Sequence, residues 1–123
     1  MVTNLYRDLI VWEKSIDLIK KVYFQADALP RSEEYNLKQQ LKRSIISVAL
    51  NIAEGKSRRT AKDFIHFLNM SNASLAEVEA ILLICMELGF LNVPGHLFED
   101  IETISKMINS LISKLRRVVK SEK

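Results

Sequence analysis

The C-terminal third of the chain repeats apolar residues at alternating steps of four and three positions, beginning soon after Pro94. This spacing places every member on one face of an α-helix, and it is typical of a helix packed nearly parallel or antiparallel to its neighbours. Such a seam needs other helices to cover it, so the rest of the chain is expected to supply them. The seam consists of Leu97, Ile101, Ile104, Ile108, Leu111, Leu115 and Val118.

Three earlier segments carry apolar stripes with helical spacing, and no segment alternates as a strand would. Four long helices with short connections favour an all-α fold, an antiparallel up-down-up-down four-helix bundle. We expect one domain over residues 1–123, with a basic C-terminal tail at residues 114–123. The three stripes are Trp12, Ile16, Ile19, Tyr23 and Ala26; Leu37, Leu41, Ile45, Val48 and Ile52; and Phe64, Phe67, Leu68, Leu75, Val78, Leu82 and Cys85.

The ends of these helices are marked by residues with strong positional preferences. Pro30 ends the first helix, because the residue before a proline is pushed out of the α region. Ser32 and Thr60 are predicted to cap the N-termini of the second and third helices. Gly55 is predicted to end the second helix in the left-handed conformation that glycine adopts without strain, and Gly89 is predicted to close the third helix.

The composition indicates a folded protein, with 48% hydrophobic and 27% charged residues, three glycines and two prolines. The lone cysteine, Cys85, fits a reducing compartment. The N-terminus is too charged for a secretory signal, and the longest apolar run, residues 80–86, is far shorter than the roughly 20 residues of a membrane span. We therefore predict a soluble, cytoplasmic protein that makes no membrane contact.

Charge is unevenly distributed along the chain, although the net charge is only +3. In the predicted topology the loop after Gly55 lies at the same end of the bundle as both chain termini. Ten basic residues and four acids are expected at this basic end, and seven acids and Arg31 at the opposite, acidic end. The basic end holds Arg7, Lys56, Arg58, Arg59, Lys62, Lys114, Arg116, Arg117, Lys120 and Lys123, with Asp8, Glu54, Asp63 and Glu122; the acids of the acidic end are Asp27, Glu33, Glu34, Glu87, Glu99, Asp100 and Glu102.

The basic end is the candidate site for binding RNA or DNA. A solvated loop is the ordinary interpretation of such residues, but the tail brings a second group of cations to the same end. The start of the third helix also favours phosphate oxygens. Aromatic residues are scarce here, so contacts to backbone phosphates are expected rather than base stacking. The candidate residues are Lys56, Arg58, Arg59, Lys62, Arg116, Arg117 and Lys120.

Two polar residues near the end of the second helix call for partners. Glu54 lies where the helix dipole disfavours an acid, so a cationic partner is expected among Arg58, Arg59 or the tail arginines. A structural ion pair that fixes the loop is favoured over a role in orienting an arginine toward a phosphate or another subunit. Asn51 is interpreted as a satisfied buried amide that fixes helix register.

No arrangement of residues indicates catalysis, a metal site, a cofactor or a small-molecule substrate. His66 and Cys85 lie 19 residues apart on one helix, which separates them by about 28 Å at 1.5 Å per residue. Placing His96 near Cys85 gives no recognisable ligand spacing either. We therefore predict a non-enzymatic protein, and the alternative to a nucleic-acid-binding protein is a protein-interaction scaffold that binds no nucleic acid directly.

Self-association is suggested by two features. The third helix carries the small residues Ser71, Ala73 and Ser74, which allow another helix to approach closely within the bundle or between chains. The second helix has more apolar width than a small bundle needs, so part of it is expected to be buried against another subunit. The additional apolar residues are Ile46, Ala49, Leu50 and Ala53.

Several segments resemble a bacterial four-helix-bundle family. Its members include proteins encoded in intervening sequences of 23S ribosomal RNA genes, and the accessory variability protein of diversity-generating retroelements is similar. The resemblance covers about residues 5–95, and helix four matches by pattern alone. The matching segments are DLIVWEKSIDL at 8–18, ALNIAEG at 49–55, DFIHFLNMSNASLAEVE at 63–79 and LGFL at 88–91.

The resemblance implies a four-helix bundle that assembles as a homopentamer and engages nucleic acid through a basic surface. This chain departs from the family at Lys56 and Ser57, where members often have an aromatic residue or glycine, and at Ala73, where members tend to have glycine. The first departure adds charge and the second is mild. The residues whose importance the resemblance supports are Asn51, Glu54, Gly55, Arg58, Arg59, Ser74 and Glu77.

Overall fold

The computed structural model describes residues 9–121, and within that range it contains helices and no strand. The predicted all-α fold is confirmed. Residues 1–8, Glu122 and Lys123, to which some of the predicted charges were assigned, lie outside the described residues. The four helices are α1 (Ile10–Asp27), α2 (Leu37–Lys56), α3 (Ala61–Glu87) and α4 (Gly95–Ser121), with a short 3-10 turn at Arg31–Glu33 between α1 and α2.

The helices form the predicted antiparallel bundle. Each helix packs against the next in the chain, and α1 also packs against α4, which closes the four helices around a shared core. The contact between α2 and α3 is the most extensive. Their connection spans only residues 57–60, which is typical of antiparallel neighbours.

The core takes one face from every helix. Every residue of the predicted α2 stripe is buried except Leu37, which packs at the edge of the core. Every residue of the predicted α3 stripe is buried except Phe67, which is half-buried. In α4 the seam residues Leu97, Ile101, Ile104 and Ile108 are buried as predicted. The largest fully buried side chains are Leu18, Leu41, Ile45, Ile52, Leu68, Leu75, Leu82, Leu97, Ile104 and Ile108.

The predicted register of α1 is wrong by one position. Trp12, Ile19 and Tyr23 lie at the edge of the core, whereas the buried face runs through Leu18 and Val22. The α1 sequence has two overlapping apolar stripes offset by one residue, or about 100° around the helix, and periodicity alone does not choose between them. The remaining buried residues of α1 are Val11, Ser15 and Ala26, and the Ser15 hydroxyl donates to the Trp12 carbonyl oxygen at 2.7 Å.

The α4 seam also departs from its prediction near the C-terminus. Ile112 is buried, whereas Leu111 is half-buried and Val118 is 45% exposed. A straight α-helix drifts by about 20° per seven residues relative to a strict 3.5-residue repeat. Over two such repeats the drift reaches about 40°, which turns Leu111 away from the core and brings Ile112 toward it.

The helix ends agree with prediction at Thr60 and Gly89. The Thr60 Oγ1 accepts a hydrogen bond from the Asp63 backbone N–H at 3.1 Å, so it caps α3. Gly89 has φ +76°, and the Phe90 N–H donates to the Cys85 carbonyl at 2.9 Å while the Gly89 N–H donates to that of Met86. These two bonds form a Schellman motif.

The predictions for Gly55 and Ser32 are wrong. Gly55 is buried inside α2 and its φ is not positive, because only Gly89 has a positive φ among residues 9–121. Ser32 lies in the 3-10 turn, and α2 begins five residues later, at Leu37. The chain after Pro30 forms tight turns, with the Glu33 N–H donating to the Pro30 carbonyl at 2.9 Å, so the helix starts late.

Among the described helices, α3 is long and apolar enough to cross a membrane by length and composition alone. The core helix of a soluble bundle passes the same test. Here α3 packs against both α2 and α4, yet only a third of its most apolar segment is buried. Much of the apolar character of α3 therefore lies on the surface of the bundle.

Candidate nucleic-acid interface

The basic end brings together two separate parts of the chain. The Asn72 side-chain amide donates to the Asn109 side-chain oxygen at 2.8 Å, which fixes α3 against α4. Because α3 and α4 are antiparallel, the residue ten positions before Asn72 lies at the same height along the bundle as the residue ten positions after Asn109. Lys62 is therefore level with residue 119. The α2–α3 loop and the last turns of α4 therefore lie at the same end of the bundle.

Gly55 lets α3 approach α2 at this end. A Cβ at Gly55 would lie 2.8 Å from Phe64 Cδ1 and 2.9 Å from Phe67 Cβ. Glycine is required here by this close contact rather than by backbone conformation. The two phenylalanine rings in turn support cations of the loop.

Two of the predicted binding residues contact these rings. The Lys56 ammonium lies 5.9 Å from the Phe64 ring centroid, and the Arg58 guanidinium lies 4.7 Å from the Phe67 centroid. Cation–π contacts of this kind hold a long side chain in one orientation. Lys56 and Arg58 are therefore partly occupied by contacts within the chain.

Glu54 has one of the partners considered from the sequence. Its Oε2 lies 3.2 Å from Arg58 Nη2, one helical turn away, and both side chains are about half exposed. The pair is thus a surface ion pair, which contributes at most about 1 kcal/mol. Glu54 offsets the charge of Arg58 and leaves Arg59 and the tail arginines without this partner.

The other cations of the predicted binding site extend into solvent. Arg59, Lys62, Arg116, Arg117 and Lys120 are all exposed. None of the five forms an ion pair with a carboxylate of residues 9–121. Within the predicted site, these five side chains are therefore the ones whose charge is available to bind an external anion.

The N-terminus of α3 is already partly satisfied. Thr60 accepts the Asp63 N–H, and the Asp63 carboxylate lies in the first turn of the helix. The Asp63 carboxylate already interacts with the positive end of the helix dipole, the position at which a phosphate would otherwise bind. Any anion at the basic end is therefore expected to bind side chains rather than the α3 backbone amides.

The predicted structural polar residues take different positions. The Asn51 amide nitrogen donates to the Ser47 carbonyl at 2.9 Å and contacts Ser47 Oγ at 3.0 Å, and Ser47 Oγ lies 2.9 Å from Ser74 Oγ. This chain of hydrogen bonds joins α2 to α3, although Asn51 is half-buried rather than buried. Nearby, the buried Ser71 hydroxyl donates to the Val48 carbonyl at 2.8 Å. Glu77 is exposed.

The acidic end contains cations that sequence reasoning missed. Lys42 lies 2.8 Å and Lys38 3.5 Å from Asp27 Oδ1, and Lys38 also lies 3.1 Å from Glu34. The hydrogen bond from Lys42 lowers the pKa of Asp27, and the hydrogen bond to Glu34 raises the pKa of Lys38. An i,i+4 search would have found Lys38 with Glu34, but the partners of Asp27 come from a different helix.

His66 and Cys85, the residues considered for catalysis or metal binding, lie far apart in the structure. His66 is exposed and meets the Phe67 ring edge-on at 5.4 Å between centroids, whereas Cys85 is buried near the other end of α3. Burial raises the pKa of the Cys85 thiol, which disfavours the reactive thiolate. Within residues 9–121, no three His, Cys, Asp or Glu side chains group as a metal would require.

Comparison with known proteins agrees with this architecture. A crystal structure of a protein of unknown function from the S23 ribosomal protein family, from Bacteroides thetaiotaomicron, superimposes with a TM-score of 0.63 at 22% sequence identity. The superposition covers 90% of this chain and 99% of the other. No curated protein matches the sequence. The profile of the 23S rRNA-intervening sequence protein family matches residues 7–110. The chain therefore belongs to the 23S rRNA-intervening sequence protein family.

Proposed function

We propose that this protein is a non-enzymatic bundle that binds RNA or DNA through backbone phosphates at its basic end. The observation that carries the proposal is the set of five exposed cations that have no carboxylate partner among the described residues: Arg59, Lys62, Arg116, Arg117 and Lys120. They come from two parts of the chain and lie at one end of the bundle. Lys56 and Arg58 contribute less, because ring contacts and Glu54 engage them.

The chemistry favours phosphate over bases as the ligand. Phe64 is buried and Phe67 is half-buried beneath the loop cations, so neither ring presents a face for stacking. Contacts made by lysine and arginine to phosphates are largely independent of sequence and depend strongly on salt. The protein is therefore expected to bind many sequences with similar affinity.

The test is a salt titration of binding to a generic duplex and to a structured RNA. Each neutralised phosphate releases counterion, so log K should fall with log salt at a slope of about −0.9 per contact on duplex DNA. The variant Arg59→Ala/Lys62→Ala is expected to weaken binding to all sequences and to flatten the slope by about 2.

The matched control is Lys20→Ala/Arg31→Ala. It removes one lysine and one arginine that are also exposed but lie toward the acidic end. The control is expected to keep the wild-type slope. If wild-type affinity is insensitive to salt, or if both variants behave alike, the phosphate interpretation fails and the protein-interaction scaffold replaces it.

We also propose that the protein assembles with copies of itself, as a pentamer by resemblance to its family. The support in this chain is the outer face of α2, where Leu50 is 63% exposed and lies in a groove with Ile46 and Met70. A contiguous apolar patch on a surface is typical of a contact between subunits.

Sedimentation at micromolar concentration tests the assembly. Wild type is expected to exceed the 14.2 kDa of one chain severalfold, and Leu50→Lys is expected to reduce the assembly size. Ile10→Lys is the matched control, since Ile10 is also 63% exposed but lies at the start of α1. A stable wild-type monomer would contradict the proposal.

A further inference from the structure

We propose that the outer face of the last turns of α3 is a docking surface for a basic amphipathic helix of a partner protein. This outer face consists of Ala80, Leu83, Ile84, Glu87 and Leu88. It lies toward the acidic end and uses none of the cations assigned to nucleic acid. The proposal therefore stands or falls independently of phosphate binding.

The sequence of α3 has apolar residues on two opposite faces in this region. Ala80, Leu83, Ile84 and Leu88 follow steps of three and four, which place them on one side of the helix. The opposite side is buried in the core and consists of Val78, Ile81, Leu82 and Cys85. A helix that is apolar all round is normally covered on all sides.

The other described helices do not cover the outer face. Leu83 and Ile84 are each 47% exposed, and Leu88 is 55% exposed. These three aliphatic side chains lie within two helical turns, which distinguishes them from scattered surface leucines. Ala80 is small and lets the backbone of a second helix come close. The geometry therefore fits a packed helix better than a loop.

The charges around this face define the chemistry of the partner. Glu77 and Glu87 lie on the exposed side of α3, and Glu79 borders the groove toward α4. None of the three forms an ion pair with a described cation, whereas Asp27, Glu34, Asp100 and Glu102 are paired with lysines. From Glu77 to Glu102 the chain has six acids and no lysine or arginine.

An apolar strip bordered by unpaired carboxylates is complementary to a helix with leucines on one face and lysines or arginines beside them. The aliphatic side chains would supply most of the affinity, because they lose contact with water on binding. The carboxylates would select a basic partner and reject an acidic one.

The probe is a fluorescently labelled 18-residue peptide of leucine and lysine, arranged so that the leucines occupy one helical face. A peptide of the same composition in scrambled order, with no apolar face, is its control. Fluorescence anisotropy is expected to show binding of the ordered peptide at least about tenfold tighter than the scrambled one. Equal binding of the two peptides would overturn the proposal.

Variants of the protein locate the site. Leu83→Ser/Ile84→Ser is expected to weaken binding of the ordered peptide by about ten- to a hundredfold. Glu77→Gln/Glu87→Gln is expected to weaken it less and to reduce its salt dependence. The matched control is Ile10→Ser/Val118→Ser, two exposed aliphatic residues toward the basic end, and it should bind as wild type does. If the control and the α3 variant lose binding equally, the site is not on α3.

Sedimentation separates a partner protein from a second copy of this chain. Leu83→Ser/Ile84→Ser is expected to keep the wild-type oligomer and a cooperative thermal unfolding transition, since both side chains are 47% exposed and lie outside the core. A smaller oligomer would assign the outer face to contacts between copies and overturn the proposal. Loss of nucleic-acid binding in the same variant would also contradict it.

Discussion

The two ends of the bundle carry opposite formal charges, but they differ more in how those charges are engaged. Of the six ion pairs between residues 9–121, five involve carboxylates toward the acidic end. The basic end holds only Glu54 with Arg58. The acidic end is therefore closer to neutral than a count of its acids suggests, whereas the basic end keeps most of its charge available.

The difference arises from the packing of α1 against its neighbours. Lys21 of α1 reaches Asp100 of α4 at 2.6 Å, and Asp27 of α1 lies beside two lysines of α2. Among the described residues, no carboxylate pairs with Arg59 or Lys62 beside the loop after α2, or with the arginines and Lys120 in the last turns of α4. Charges that pair across helices stabilise a fold, and charges left unpaired at one end are available to a ligand.

The largest expected effect concerns the glycine at the basic end. Gly55→Ala places a Cβ 2.8 Å from Phe64 and 2.9 Å from Phe67. Overpacking of this kind lowers the free energy of unfolding by about 1–3 kcal/mol. The better helix propensity of alanine offsets at most about 1 kcal/mol of this loss. Urea unfolding should show a net loss. The control is Gly95→Ala, where no atom lies within 4 Å, and a Gly55 variant as stable as this control would contradict the close contact.

The glycine toward the acidic end is expected to matter for a different reason. Gly89 has φ +76° and open space around it, so an added methyl group meets no neighbour but strains the backbone. Gly89→Ala should destabilise the protein by about 1 kcal/mol, and Gly89→Asn by less, because asparagine tolerates the left-handed region better. Equal stability of the two variants in urea would argue against backbone strain.

Smaller effects on stability and binding are expected to distinguish the neighbouring residues Arg58 and Arg59. Arg58→Ala loses the Glu54 pair and the Phe67 contact, so it should reduce stability by about 0.5–1 kcal/mol and change nucleic-acid binding little. Arg59→Ala should leave stability unchanged and flatten the salt slope of binding by about 1. Glu54→Gln should strengthen binding, because it frees the charge of Arg58. The reverse pattern for the two arginines would contradict the assigned contacts.

The smallest effect is a pH dependence at the acidic end. The pKa of Asp27 is lowered by its hydrogen bond to Lys42. The stability that Asp27 contributes is therefore present above its unfolded pKa and is lost as pH falls through its lower folded pKa. In urea unfolding the difference between wild type and Asp27→Asn should shrink below about pH 4. A difference that stays constant from pH 6 to pH 3 would exclude this ion pair.

The sequence predicts the architecture well, because each helix has an apolar face that only other helices can cover. It does not predict which of two overlapping stripes is central, as α1 shows with Leu18 and Val22 buried and Ile19 at the edge. A glycine after an apolar stripe is ambiguous in the same way. Gly89 has the left-handed conformation, whereas Gly55 is needed for close packing.

The sequence predicts which cations lie at the candidate site. It does not predict which of them are free of contacts with carboxylates and aromatic rings in the same chain. The sequence places Arg58 and Arg59 side by side, yet one lies over a ring and beside Glu54 and the other extends into solvent. The lysines that neutralise Asp27 come from another helix. Such pairing depends on distances between helices, which periodicity does not provide.

The central claim, that the basic end binds nucleic acid while the acidic end does not, is tested most directly by lysine acetylation footprinting of the wild-type protein. The protein is acetylated with and without a structured RNA at low salt, and each lysine is quantified by mass spectrometry. Lys62 and Lys120 are expected to lose reactivity when RNA is present, whereas Lys20 and Lys106, which lie away from the basic end, should react as before. Uniform protection of all four, or protection confined to Lys20 and Lys106, would contradict the account.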